Sequence, residues 1–161
     1  MPEMTLLGWF HTILGILAVL SGFYTLYRHR VISTEESSGL LYVLVTVLVA
    51  GSALGIYNQG GFGVAHVLAV LTLIALAGGY IMERFKWFGS FSKYFQALGY
   101  TSTLLFHMIP AITDFLRRLP VGDPFIDSFE DPLLLNFHTA FLFIYLLGLV
   151  AQMIWLKRQA V

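Results

Sequence analysis

The sequence predicts an all-α integral membrane protein, a single helical bundle of five transmembrane helices. Three observations predict it. The 161 residues are 58% hydrophobic and only 11% charged, against about 25% charged in an ordinary soluble domain. The apolar residues gather in five stretches, about 5–27, 39–57, 62–82, 94–116 and 133–156, each near the ~20 residues a helix needs to cross hydrocarbon. The connections between them leave no room for a second domain, so residues 1–161 form one unit.

The first stretch is strongly apolar and aligns Gly8, His11, Gly15, Ala18 and Gly22 on one helical face. Small residues at that spacing make a close-packing seam, which turns His11 toward a neighbouring helix. Glu3 precedes the stretch and Arg28 and Arg30 follow it. That is the reverse of a signal peptide's basic start, so no cleaved leader is expected. Residues 28–38 carry Ser33, Thr34, Ser37 and Ser38 around Glu35 and Glu36 and read as a solvated turn. The second stretch is short but uncharged. Asn58-Gln59-Gly60-Gly61 predicts a tight turn into the third, where His66 lies over Ala69, Val70 and Leu73. Residues 83–93 mix Arg84 and Lys86 with Phe85, Trp87, Phe88 and Phe91, which suits an interfacial anchor. Tyr24, Tyr27, Trp87 and Trp155 fit interfacial belts.

The fourth stretch is the most polar, with Gln96, Thr101, Ser102, Thr103, His107, Pro110 and Asp114. It spans only if that face turns into the bundle. Tyr100, Thr103, His107 and Asp114 form one stripe on it, and Pro110 is expected to bend it. Residues 117–132 are the one long connection. Phe125, Ile126 and Phe129 lay it on the membrane surface, and its acids (Asp123, Asp127, Glu130 and Asp131) read as solvated. In the fifth stretch His138 shares a face with Phe141, Leu142 and Tyr145, with Asn136 and Thr139 as flanking partners.

Lysines and arginines orient the bundle. With the N-terminus outside, Arg28, Arg30, Arg84, Lys86, Lys93, Lys157 and Arg158 lie inside and only Arg117 and Arg118 outside. The expectation is therefore a multi-pass protein of a bacterial plasma (inner) membrane, its C-terminus cytoplasmic. Net charge is zero, so there is no electrostatic footprint for nucleic acid. With no cysteine, disulfides, thiolate metal sites, iron–sulfur clusters and Cys-attached haem are excluded.

Four of the five histidines, His11, His66, His107 and His138, fall one each on four stretches, and this topology puts all four in the outer half of the bilayer. An imidazole in hydrocarbon is costly unless it is paired, metal-bound or faces a wet cavity. Three readings follow. The leading one is a metal ion (zinc, copper or iron) held by these histidines, with Asp114 as ligand or acceptor, for redox chemistry, metal handling or metal-assisted hydrolysis. The second is haem b held axially by two of the histidines, in electron transfer or haem handling. The third is that they only bridge helices, in a non-catalytic subunit packed against other membrane subunits or a second copy. His29, beside Arg28 and Arg30, reads as solvent-exposed.

Several of these residues sit in recognisable motifs: His11-Thr-Ile-Leu14-Gly15, then Gly39-Leu-Leu-Tyr42-Val43, then Gly60-Gly61-Phe62-Gly63 leading to His66. Through them, and through an ending to the fourth stretch that reads ITDFLRRLP, the first ~120 residues resemble bacterial membrane proteins grouped under a domain of unknown function. The resemblance implies a polytopic inner-membrane protein with histidines at His11 and His66, and brings no assigned activity. Relatives in that group often carry H-R-x-x-G before the second span. This chain has Ser37-Ser38-Gly39 there, so any role of that histidine is missing. Histidines on membrane helices are also similar, by analogy alone, to b-type cytochromes and haem-handling proteins.

Overall fold

The computed structural model describes residues 5–57 and 61–159. It holds five helices: α1 (Leu6–His29), α2 (Ser37–Ala53), α3 (Val64–Phe85), α4 (Ser92–Arg118) and α5 (Pro132–Arg158), with a 3-10 turn at Gly89–Phe91 leading into α4. No strand occurs among the described residues. The turn expected at Asn58-Gln59-Gly60-Gly61 lies largely outside the described residues. The helices run up and down. α1 packs on α2 and α3 on α4, α2 also meets α3, and α4 is central, touching α1 and carrying α5.

α1, α3 and α5 are long and apolar enough to cross a membrane, and α2 is apolar but shorter, at 17 residues. The apolar windows of α1 and α5 are only 11% buried inside the molecule. Most of that apolar surface faces outward, where hydrocarbon rather than water must surround it. The chain is thus an all-α membrane protein. α4 meets the condition set by its composition, because Tyr100, Thr101, Thr103, Leu104 and His107 are all buried. Its polar face is turned into the bundle. α3 and α4 cross with their backbones nearly touching: a Cβ on Gly99 would lie 2.8 Å from the Ala75 carbonyl oxygen and 3.0 Å from the Gly79 nitrogen.

One end of the bundle, where α1 joins α2 and α3 joins α4, is tied by polar side chains. α3 continues to Phe85, so Glu83 lies inside a helix rather than in the loop expected at 83–93. Its Oε1 accepts from Ser33 Oγ (2.6 Å), Thr34 N (2.7 Å) and Gln96 Nε2 (3.3 Å). Its Oε2 accepts from Thr34 Oγ1 (2.8 Å) and Tyr100 OH (2.8 Å). Gln96 Nε2 also donates to the Ile32 carbonyl, Gln152 Nε2 to the Arg30 carbonyl and Lys93 Nζ to the Leu156 carbonyl. Residues 28–38 are therefore a solvated turn only in part, with Glu35 and Glu36 exposed and Ser33 and Thr34 tied to Glu83. Ile32 is fully buried, and the carbonyls around it are satisfied by α4 and α5, as buried backbone requires.

The opposite end carries the α4–α5 connection. Here Asp131 caps α5, accepting from Leu133 N (2.8 Å). Ile126 is buried against Leu116 and Leu134, and Arg117 lies 3.9 Å over the Phe129 ring. The expected surface segment is pinned back on α4 by one of its three apolar residues, while Phe125 and Phe129 stay exposed.

Candidate functional site

Toward that connection end, a cavity of about 1220 Å³ opens between the α1–α2 and α3–α4 pairs, its walls overwhelmingly apolar. His11 of α1 and His107 of α4 both line it, with Thr12, Gly15, Thr72, Phe106 and Pro110, and Asp114, Arg117, Arg118 and Asp127 toward the connection. The cavity exists because α1 and α4 diverge. At Gly22 they are in contact: a Cβ there would lie 2.8 Å from Leu104 Cδ2 and 2.8 Å from the Tyr42 ring. Two turns earlier, about 10 Å along the axis, a Cβ on Gly15 would meet nothing within 4 Å. The expected packing seam is thus half seam and half cleft wall.

His11 is held from one side. Its Nδ1 lies 3.1 Å from the Val49 carbonyl and 3.0 Å from Ser52 Oγ. The Ser52 hydroxyl gives its own hydrogen to that same carbonyl (2.9 Å). Both neighbours can only accept, so Nδ1 carries the proton and Nε2 is left as a lone pair. His107 is buried, with Nε2 3.2 Å from Thr46 Oγ1. Thr46 and Tyr42 are one turn apart on α2 and fully buried, and Tyr42 OH bonds Thr103 Oγ1 on α4. The thin join between α2 and α4 is therefore polar, and it fixes the His107 ring.

The other histidines lie apart. Gly63 N donates to His66 Nδ1 (3.1 Å), so the His66 proton is on Nε2, which is buried without a partner among the described residues. The ring is flanked by Tyr57 (4.7 Å) and Phe62 (5.0 Å). In this tautomer it has no free lone pair for a metal. His138 faces α4 elsewhere, where Thr113 Oγ1, whose hydrogen goes to the Ile109 carbonyl, accepts from its Nε2 (3.2 Å). Thr139 bonds its own helix at Leu135 instead of His138, and Asn136 is exposed. Asp114 is exposed and pairs with Arg118 at 3.5 Å. His11, His66 and His138 lie in the first two turns of α1, α3 and α5, and His107 lies near the middle of α4. Only His11 and His107 share a cavity, however, and among the described residues no three His, Cys, Asp or Glu side chains gather closely enough to hold a metal ion. Equal depth along different helices does not fix the angle at which each side chain points, and the angle separates them.

Comparison with protein-family models, with curated proteins and with solved structures returned no match. The site stands on its geometry.

The two glycines of α1 give a paired test. Gly22→Leu is expected to destabilise the bundle by about 3 kcal/mol, because the fully buried Tyr42 ring cannot move aside. Gly15→Leu places its side chain in open space and is expected to leave stability within about 1 kcal/mol of the parent. Denaturant titration in detergent micelles reads both. Equal losses at the two positions would mean that the cleft is closed.

Proposed function

We propose that this chain is a small integral membrane protein that binds a lipid-soluble ligand in the cleft between α1 and α4, anchored by His11 and His107. The observation that carries this reading is the lock on His11: Val49 and Ser52 hold its Nδ1–H, and an unprotonated Nε2 remains on a ring that lines an apolar cavity. An imidazole that merely bridged helices would need no cavity beside it. His11 is part-buried, and a ring nitrogen facing apolar walls gains from a ligand that supplies the hydrogen bond those walls cannot.

A second reading draws on the same lock, since an imidazole that binds a metal commonly donates its other N–H to a carbonyl. A bare zinc, copper or iron ion would find two imidazoles and no third ligand here. Haem b brings four nitrogens of its own and needs only one or two histidines and an apolar slot, so within the metal class it fits better. The third reading, a packing subunit, draws on the outward apolar faces of α1 and α5 alone.

One preparation tests these readings together. The protein is purified in mild detergent after expression with haem precursor and trace metals. Its absorption spectrum, metal content and co-extracted lipids are then compared with those of His11→Leu. A lipid-soluble compound retained by the parent and lost from His11→Leu is the expected result. A Soret band lost in the same variant would establish haem, and a stoichiometric metal without a Soret band would name the ion. If nothing is retained and a partner protein co-purifies, the packing reading replaces both. The orientation proposed with this function, N-terminus outside and C-terminus cytoplasmic, rests on seven basic residues against two. A reporter fused to the C-terminus checks it, and a periplasmic signal would reverse it.

A further inference from the structure

The threonine hydroxyls in the cleft and the free nitrogen of His11 are acceptors. His11 Nε2 is a lone pair, by the argument from Val49 and Ser52. Thr12 gives its hydroxyl hydrogen to the Gly8 carbonyl (2.9 Å) and Thr72 gives its own to the Leu68 carbonyl (2.7 Å), so each offers only oxygen lone pairs. Pro110 has no N–H, which leaves the Phe106 carbonyl without its usual partner one turn on. The cleft below its mouth is thus rich in acceptors. Donors are placed toward the connection, where Arg118 faces Asp114 and Arg117 lies over Phe129, and on the α1 side, where Trp9 brings an indole N–H. A ligand that satisfies such a wall must bring O–H or N–H groups of its own.

Shape adds a second constraint. α1 and α4 touch at Gly22 and separate by Gly15, so the cleft widens toward the connection end, between helices of a bundle whose outer surface is apolar. The wall beside His107 carries Phe106 and Pro110, and Trp9 stands on the α1 side, which suits a flat ring.

We infer that the ligand is a lipid-borne hydroxylated aromatic ring of the hydroquinone class, its hydroxyl donating to His11 Nε2. This rests on the cleft reading of the preceding subsection and narrows it. The acceptor-rich wall discriminates by oxidation state. A hydroquinone donates two hydrogen bonds, whereas the corresponding quinone offers only carbonyl lone pairs that would face lone pairs. Losing one hydrogen bond to a buried acceptor leaves that acceptor unpaired, and every 1.4 kcal/mol so lost is a factor of about ten in affinity.

The test is equilibrium binding of a short-chain alkyl hydroquinone, its quinone and its dimethyl ether to the purified full chain in nanodiscs, with the hydroquinone kept reduced. The hydroquinone is expected to bind at least tenfold more tightly than the quinone or the ether. His11→Leu is expected to remove that preference, and Gly15→Leu to abolish binding of all three by filling the cleft. Circular dichroism and thermal unfolding check that each variant is folded. If His11→Leu fails to fold, the ranking of the three probes on the parent and the Gly15→Leu result still decide.

Equal binding of hydroquinone and ether would overturn the inference while leaving the cleft reading intact. Binding of none of the three by a protein that purifies with a Soret band would overturn the inference and put haem in place of the lipid-soluble ligand. No binding, no cofactor and no effect of Gly15→Leu would overturn both.

Discussion

Replacing Glu83 by alanine is expected to cost the bundle about 3 kcal/mol, the largest loss from any single polar side chain in the molecule. The carboxylate collects five donors from two segments: Ser33 and Thr34 before α2, and Gln96 and Tyr100 on α4. Hydrogen bonds to a charged group are worth about 1.5–3 kcal/mol each, and a buried donor left without its partner costs about 1–3 kcal/mol. The hydroxyls of Ser33, Thr34 and Tyr100 can rotate toward other acceptors. The Thr34 N–H cannot, and it dominates the cost. Glu83→Gln separates charge from geometry. Its amide oxygen can occupy the Oε1 position, where the fixed N–H groups arrive. Its NH₂ then falls at Oε2, where only the Thr34 and Tyr100 hydroxyls donate and both can turn to accept. The amide is accordingly expected to lose about 1 kcal/mol, a third of the alanine loss. Midpoints of denaturant unfolding in micelles measure both. Equal losses for Gln and Ala would mean that negative charge, and not the donor geometry, holds this end together.

Glu83 also marks the boundary of what the sequence made legible. Hydropathy found the five helices. That signal is summed over many residues, so no single contact can overturn it. The site is different. His11 and His107 were legible as polar residues at similar depth, but the partner that makes His11 interesting is a backbone carbonyl, Val49, which has no signature in sequence. His66 looked like a third member of the set. It instead serves its own helix start, where Gly63 N donates to Nδ1 and His66 N donates to the Gly63 carbonyl. Glu83 is hidden from hydropathy because the apolar stretch ends at 82, one residue before it. A carboxylate three residues beyond Tyr80 and within the last turn of a span was the available signal. Its worth depended on Ser33 and Thr34, some fifty residues away, folding back onto it.

The short motifs become readable as physics once the contacts are known. In the stretch that begins at Gly39, Tyr42 is fully buried and its hydroxyl bonds Thr103 across to α4. In the stretch that leads to His66, Phe62 stacks on the ring that Gly63 holds. In the stretch His11 to Gly15, the histidine is locked on α2 and the glycine leaves the cleft open. Two of these arrangements stiffen the bundle, and the third keeps a space. That division agrees with where the polar ties lie. One end is cross-linked through Glu83, Gln96, Gln152 and Lys93, so α1 and α4 can part toward the other end without the bundle coming undone.

Gly39→Ala is expected to be the most damaging single-carbon change in the chain, lowering stability by more than about 3 kcal/mol. A Cβ at this position would overlap the Ser33 carbonyl oxygen and lie 3.0 Å from its carbonyl carbon. The obstacle is backbone, so no rotamer change relieves it, and overpacking of this kind costs about 1–3 kcal/mol even where side chains can yield. Relief requires the turn at Ser33 and Thr34 to move. That turn delivers three of the five donors to Glu83, so the strain and the loss of the carboxylate's partners arrive together. Gly51→Ala on the same helix is the control. Nothing lies within 4 Å of its Cβ, and alanine there is expected to gain about 0.5–1 kcal/mol from helix propensity alone. The double variant Gly39→Ala with Glu83→Ala makes the connection quantitative. If the two act through one turn, their combined loss falls short of the sum by more than the ~0.5 kcal/mol allowed for independent sites. Additive losses would mean that Gly39 admits α2 to the bundle for a reason separate from Glu83.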